Sequence, residues 1–191
     1  MLSRFKLNKL YEKGKSSQEI SKLFGFSVGK VNYWLNKYNI KKRSISDAIY
    51  IKHNPQGDPF YFTNPTNLSE AQLLGFGLGL YWGEGTKADP SSVRLGNTDP
   101  KLIKKFMEFL VKIFRIKKRD MRFSLQIFND ISEEKALNFW IKKLNIDKSQ
   151  FYKTTLSPSQ STGTYKKKAL HGVLTVYYHN KKLRNLLVGM L

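Results

Sequence analysis

The chain contains no cysteine and only three histidines, His53, His171 and His179, none spaced to share an ion. Disulfides, thiolate nucleophiles and cysteine-based zinc sites are therefore excluded. Acidic residues are scarce: 14 Asp and Glu stand against 34 Lys and Arg in 191 residues, a net charge of +20. Residues 148–191 carry no Asp or Glu, so that stretch supplies no catalytic carboxylate. Long apolar runs are missing too. The least polar stretch, LLGFGLGLYWG from Leu73, is about half the ~20 residues needed to span a bilayer. MLSRFKLNKLYEKGK shows no signal-peptide pattern, so the expectation is a cytoplasmic protein with neither membrane nor small-molecule partner.

What is present is enough to fold. Hydrophobic residues make up 40 % of the chain and aromatic ones 14 %, which suits one small and one medium domain with packed cores. The basic excess is spread along the sequence, dominating both residues 1–52 and residues 148–191, and it points to a polyanionic partner. A solvated basic surface or a ribosome-type binder stays open on charge alone.

Residues 1–52 read as three helices in quick succession. Ser3 caps a first helix carrying Phe5, Leu7, Leu10 and Tyr11, which ends at Gly14. Ser16 and Glu19 form an S-x-x-E capping box before Ile20, Leu23 and Phe24, and Gly25 stops that helix after two turns. Ser27 opens a third helix, in which Val31, Trp34, Leu35 and Tyr38 fall at i, i+3, i+4 and i+7 and should face a core with Ile20 and Leu23. The short turn between the second and third helices is the helix-turn-helix signature. This pattern resembles the small helix-turn-helix domains of site-specific recombinases and other DNA-binding proteins. With the third helix in a major groove, Ser27, Gly29, Lys30, Asn32 and Tyr33 would approach base edges. Asn36 and Lys37 would meet phosphate, and Lys41, Lys42 and Arg43 would form a basic arm. A three-helix interaction bundle is the alternative. Residues 53–68, rich in Pro with Gly57, read as a linker, and Phe60, Tyr61 and Phe62 should tie it to the second domain.

That expected second domain, 69–191, opens on a glycine-studded helix. Gly75, Gly79 and Gly83 recur at i, i+4 and i+8 and form a smooth seam on which another helix backbone can lie, with Glu84 emerging at its end. Glycine weakens a lone helix by roughly 1 kcal/mol relative to alanine, so such a series needs a packing reason. The segment Gly77 to Gly85 resembles the nine-residue signature of LAGLIDADG homing endonucleases, with Gly79 and Gly83 as packing positions and Glu84 as the final acid. Trp82 stands at the signature's first acidic position and is expected to face the sheet. The resemblance implies two such helices packed together, acidic ends holding a divalent metal over DNA. A buried glycine-rich helix with an incidental carboxylate is the plain alternative.

Three β-prone runs then each lead into a helix, from Val93, from Ser124 and from Leu174, with a further strand near Phe151 to Leu156. The fold class is therefore α+β: a helix-turn-helix domain, then a mixed α/β domain of LAGLIDADG type with a DNA-facing sheet. Alternation puts Phe123, Leu125 and Ile127 inward and Arg94, Arg122, Ser124 and Gln126 outward, towards bases or phosphates. An ordinary polar sheet face accounts for these residues equally well. Lys166, Lys167 and Lys168 lie in a loop that would reach phosphate. Metal-dependent cutting of double-stranded DNA would use Mg2+ or Mn2+ on Glu84 and the Gly83 carbonyl, with Lys87 as charge stabiliser and Asp89 only a turn residue. One chain carries one such motif, so a homodimer would supply the second Glu84. The expected activity is that of a homing-type endonuclease. The competing readings are a DNA-binding transcription regulator that keeps the scaffold without cleavage, and an RNA-binding protein.

Overall fold

Four serines open four helices in the amino-terminal part of the computed structural model, which describes residues 2–158 and 169–191. Ser3, Ser16, Ser27 and Ser44 cap α1 (Arg4–Glu12), α2 (Ser17–Phe24), α3 (Val28–Lys37) and α4 (Ile45–His53). Each hydroxyl accepts a first-turn amide that would otherwise lack a partner. The expected capping box is formed: the Ser16 amide donates to Glu19 at 2.8 Å and the Glu19 amide returns to the Ser16 hydroxyl at 3.1 Å. Gly25, at φ +64°, ends α2 in the left-handed conformation that glycine adopts without strain. Leu2, Leu7, Ile20, Val31 and Leu35 form the core, covered by Trp34, Tyr38 and Phe26.

One expected core residue, Leu23, lies outside it, and so does Phe5 of α1. Leu23 is 60 % exposed and Phe5 73 % exposed. Phe26, just after the Gly25 turn, packs on the core, and Leu2, ahead of α1, is buried in it. Helix α4 forms at the end of the expected helix-turn-helix domain, after the basic run, where no helix was expected; it buries no residue, but Ile51 rests where a Cβ on Gly14 would have to go.

The chain divides into two compact units, the first ending at Pro59 and the second running from Phe60 to Leu191. The expected linker thus splits between them. Phe60 and Phe62 pack on the second core, while the amides of Tyr61 and Thr63 bond the carbonyls of Phe114 and Ile113.

The second unit contains α5 (Leu68–Glu84), β1 (Val93–Asn97), α6 (Pro100–Phe114), β2 (Arg122–Phe128), α7 (Glu133–Leu144), β3 (Thr155–Ser157), β4 (Val173–Tyr178) and α8 (Lys181–Gly189). The class is α+β. The strand order is β1-β4-β2-β3, antiparallel except for the β2–β3 pair. The last strand thus lies between the first two, a placement set by long-range pairing. Phe123, Leu125 and Ile127 point inward into one core with Phe106, Leu110, Trp140 and Leu187, as the alternation requires. Among the described residues no helix is long and apolar enough to cross a membrane.

Candidate nucleic-acid interface

Helix α5 presents two glycine faces with opposite fates. Gly77 lies against α6 so closely that a Cβ there would collide with the ring of Phe109, and this is the close approach that joins α5 to the core. Gly75, Gly79 and Gly83 have open space where a Cβ would stand. The expected seam is therefore an exposed stripe, flanked by Phe76 at 51 % exposure and Trp82 at 69 %. Trp82 does not face the sheet, contrary to expectation. The buried position belongs to Tyr81, which stacks on Phe106 at 6.2 Å, and the next residue, about 100° further round the helix, is carried to the open side.

The end of α5 is built by four residues. Gly85 must be glycine, because a Cβ would collide with both the ring and the carbonyl of Tyr81. Its neighbour Thr86 donates to the carbonyl of Arg94 at 3.0 Å, which couples the helix end to β1. Lys87 folds back, its Nζ donating to the carbonyls of Tyr81, at 3.3 Å, and Trp82. A cation on the last carbonyls of a helix is favourably placed. The lysine expected beside a phosphate thus serves here as a helix cap, and Arg184 of α8 donates to its carbonyl. Burial pushes the Tyr81 phenol up, with Arg184 opposing.

Glu84 is exposed, and no other described residue pairs with its carboxylate. No group of three or more metal-ligating side chains lies together among the described residues. Within one chain the carboxylate of Glu84 and the carbonyl of Gly83 are oxygen donors of the kind a hard divalent cation takes, and they supply part of a coordination shell.

The sheet turns one face away from its helices. Across it run Arg94, Tyr177 and Arg122 in register, then Gly96, Thr175 and Ser124, then Val173, Gln126 and Thr155. The structure brings the expected Arg94, Arg122, Ser124 and Gln126 onto this face. The two uncharged ones are tied down: Ser124 shares a 3.1 Å hydrogen bond with the Tyr177 hydroxyl, and Gln126 donates to Ser157 at 3.0 Å. Arg122 bonds only the carbonyls of Arg119 and Met121 and has no acidic partner among the described residues. Arg94 is ion-paired with Asp89, which is thus more than a turn residue.

In the first unit, Gly29, Lys30, Tyr33, Asn36 and Lys37 line the exposed side of α3, with Asn32 half-buried. Ser27 is engaged as the cap of α3, its hydroxyl accepting from Lys30 at 3.2 Å. Lys30 lies over the Phe26 ring at 4.4 Å and Lys37 over Trp34 at 4.9 Å, each keeping its charge outward. Lys41 and Lys42 are exposed, but Arg43 is turned inward, stacked on Tyr11 at 4.0 Å and bonded to the Lys15 carbonyl at 2.6 Å. It is a latch of the unit, not part of an arm. Lys166, Lys167 and Lys168 lie outside the described residues.

Sequence reasoning missed the aromatic part of the sheet face. Tyr177 and His179 stack at 5.8 Å, and the Tyr152 hydroxyl lies 2.7 Å from His179 Nε2. Loss of water around its ring holds His179 below the ordinary imidazole value, and the charges of Arg94 and Arg122 add to this against Asp89. The signal was available: in LTVYYHN the residues Thr175, Tyr177 and His179 alternate with buried Leu174, Val176 and Tyr178. No protein-family model, curated protein or solved structure matches this chain.

Proposed function

We propose that the protein is a homodimeric endonuclease of LAGLIDADG kind, binding a specific double-stranded DNA site and cutting it with a divalent metal. The observation that carries this reading is the open glycine stripe of α5, which runs through Gly75, Gly79 and Gly83 straight to the unpartnered carboxylate of Glu84. A helix face of small residues rimmed by Phe76 and Trp82 suits a second copy of itself, because backbones approach closely between the glycines and the rings close over the edges. Two such chains would bring two Glu84 side chains together at the two-fold axis. With the two Gly83 carbonyls they would hold Mg2+ or Mn2+, which, when bound, supplies water activation and charge neutralisation. The protein's own part is to fix that axis and to lay the sheet faces and the α3 helices along DNA. The Lys87 and Arg184 bonds keep the end of α5 in one place while this happens.

The charge of +20 supports a polyanionic partner, and the exposed cations of α3 suit a major groove in the manner of a helix-turn-helix domain. One observation favours the competing reading of a non-cleaving DNA-binding regulator: Lys87 caps its own helix instead of standing free beside Glu84.

The test is cleavage of a randomised duplex library with Mg2+ or Mn2+, comparing the native chain with Glu84→Gln. Cutting by the native chain alone, with equal binding by both, supports the nuclease. Sequence-selective binding by both without cutting by either supports the regulator.

A further inference from the structure

Arg94 is the most constrained cation on the described sheet face. Its Nε donates to Ser92 Oγ at 2.7 Å and its Nη2 to Asp89, and its guanidinium carbon lies 5.1 Å from the centroid of the Tyr177 ring. Ser92 is fully buried. Asp89 is itself oriented by the Ser91 amide at 2.7 Å, the Ser91 hydroxyl at 2.6 Å and the Ser92 hydroxyl at 3.4 Å. Those bonds, the Ser91 hydroxyl first, hold the Asp89 carboxyl below the ordinary carboxylate value, so the clamp stays charged into mildly acidic solution.

A guanidinium carries five N–H donors. The clamp uses the Nε edge, and the end-on pair formed by Nη1 and the second N–H of Nη2 is left over. Two parallel donors at fixed spacing match the two acceptors, O6 and N7, that guanine shows in the major groove. A phosphate would also accept such a pair. But Asp89 already neutralises Arg94, which weakens any pull towards a diffuse polyanion, whereas the neighbouring Arg122 keeps its full charge and loose tether. The two arginines on either side of Tyr177 are thus suited to different tasks.

We propose that Arg94 specifies a guanine in the DNA site, with Asp89 and Ser92 as the residues that position it. The proposal rests on the proposed binding of duplex DNA along the sheet face. It also fixes where the guanine lies. The Gly85–Leu95 bridge and the Thr86–Arg94 bond join β1 to the end of α5, so the base read by Arg94 is among those nearest the two-fold axis.

The experiment selects bound duplexes from a randomised library with the full chain in a chelator, so that nothing is cut. The native chain is expected to enrich guanine at one position of each half-site, near the centre of the whole site. Arg94→Lys should lower that preference by about tenfold while total affinity changes little. Arg94→Gln should move it towards adenine, whose N6 and N7 match an amide. Asp89→Asn should loosen the same position only, and Arg122→Ala should weaken every sequence alike. Thermal melting establishes that the variants compared are folded. An unchanged base profile in Arg94→Lys and Arg94→Gln overturns the proposal and leaves the DNA reading standing. A native chain without base preference on duplex DNA overturns both.

Discussion

The two units of this protein rest on scaffolds of unequal depth, and one helix of each, α3 and α5, shows the solvent a different kind of surface. The first rests on five buried side chains, Leu2, Leu7, Ile20, Val31 and Leu35, and its helices are held mainly by serine caps and glycine stops. What it shows the solvent on α3 is cationic and polar, with Lys30, Asn36 and Lys37. The second buries one face of its sheet and the inner faces of its helices, and what it shows along α5 is apolar, from Leu68 through Phe76 to Trp82. The difference is physical. Charged side chains on a short helix need only that the helix exist, whereas a bare glycine stripe facing water is kept straight only by a rigid layer behind it, here Phe106 and Phe109 under Tyr81 and Gly77.

The largest expected effect breaks the comparison at its weaker side. Leu35→Ala removes one of five core residues, and large-to-small changes of this kind cost about 2–5 kcal/mol. A unit of this size has on the order of 5 kcal/mol in total, so it should unfold while the second unit stands. Ile103→Ala, equally buried, should leave the second unit folded. Fluorescence and hydrogen exchange at Trp34 against Trp140 separate the two outcomes, and a Trp34 still protected in Leu35→Ala would defeat the argument.

A smaller effect sharpens the contrast between the faces of α5. Gly77→Ala should destabilise the second unit by about 1–3 kcal/mol, because Phe109 cannot move without disturbing Phe106 and Phe114. Gly79→Ala should do the reverse for a single chain, strengthening α5 by up to ~1 kcal/mol through helix propensity, while it weakens self-association. Melting and sedimentation equilibrium test the pair. Equal effects of the two alanines on stability would mean that the faces are not distinct.

Local features were legible in the sequence because their causes are local. The Ser16–Glu19 box, the Gly25 stop and the inward Phe123, Leu125 and Ile127 follow from hydrogen-bond reach and from a period of two. The α+β class followed from the same signals. Spacing alone could group Gly75, Gly79 and Gly83, but it could not tell which glycine meets a neighbour, since that depends on where Phe109 comes to lie. Trp82 was expected to face the sheet from its position in the signature it matches, and it lies outward because Tyr81 takes the buried position against Phe106. Helix α4 has no sustained apolar stripe to announce it, and the strand order depends on contacts far apart in the chain. The candidate site was legible in its carboxylate and its arginines. The clamp of Asp89 and Ser92 on Arg94 was not, because it exists only once the loop after α5 has folded onto β1.

The next effects are modest and bear on the charged surface of the first unit. If α3 meets phosphates, Lys30→Ala and Lys37→Ala should each lower DNA affinity evenly across sequences and reduce the salt dependence of binding by about one phosphate contact. A change confined to one base position would instead make either lysine a base reader.

The smallest effect concerns acid. Glu19 sits below its ordinary value of 4.5, first because of the Ser16 amide and then the Ser16 hydroxyl and Lys15. A carboxylate depressed in the folded state stabilises above its unfolded value and loses that contribution as pH falls through the folded one. Glutamine keeps an acceptor for the Ser16 amide but carries no charge, so Glu19→Gln should cost the exposed box about 0.5 kcal/mol at neutral pH. The deficit should shrink as the solution is taken below the ordinary carboxylate value, because native Glu19 then becomes protonated as well. Melting of the first unit, followed at Trp34 over that range, reads the difference. A deficit that stays constant with pH would show that the charge of Glu19 is irrelevant and that only the shape of its side chain holds α2 in place.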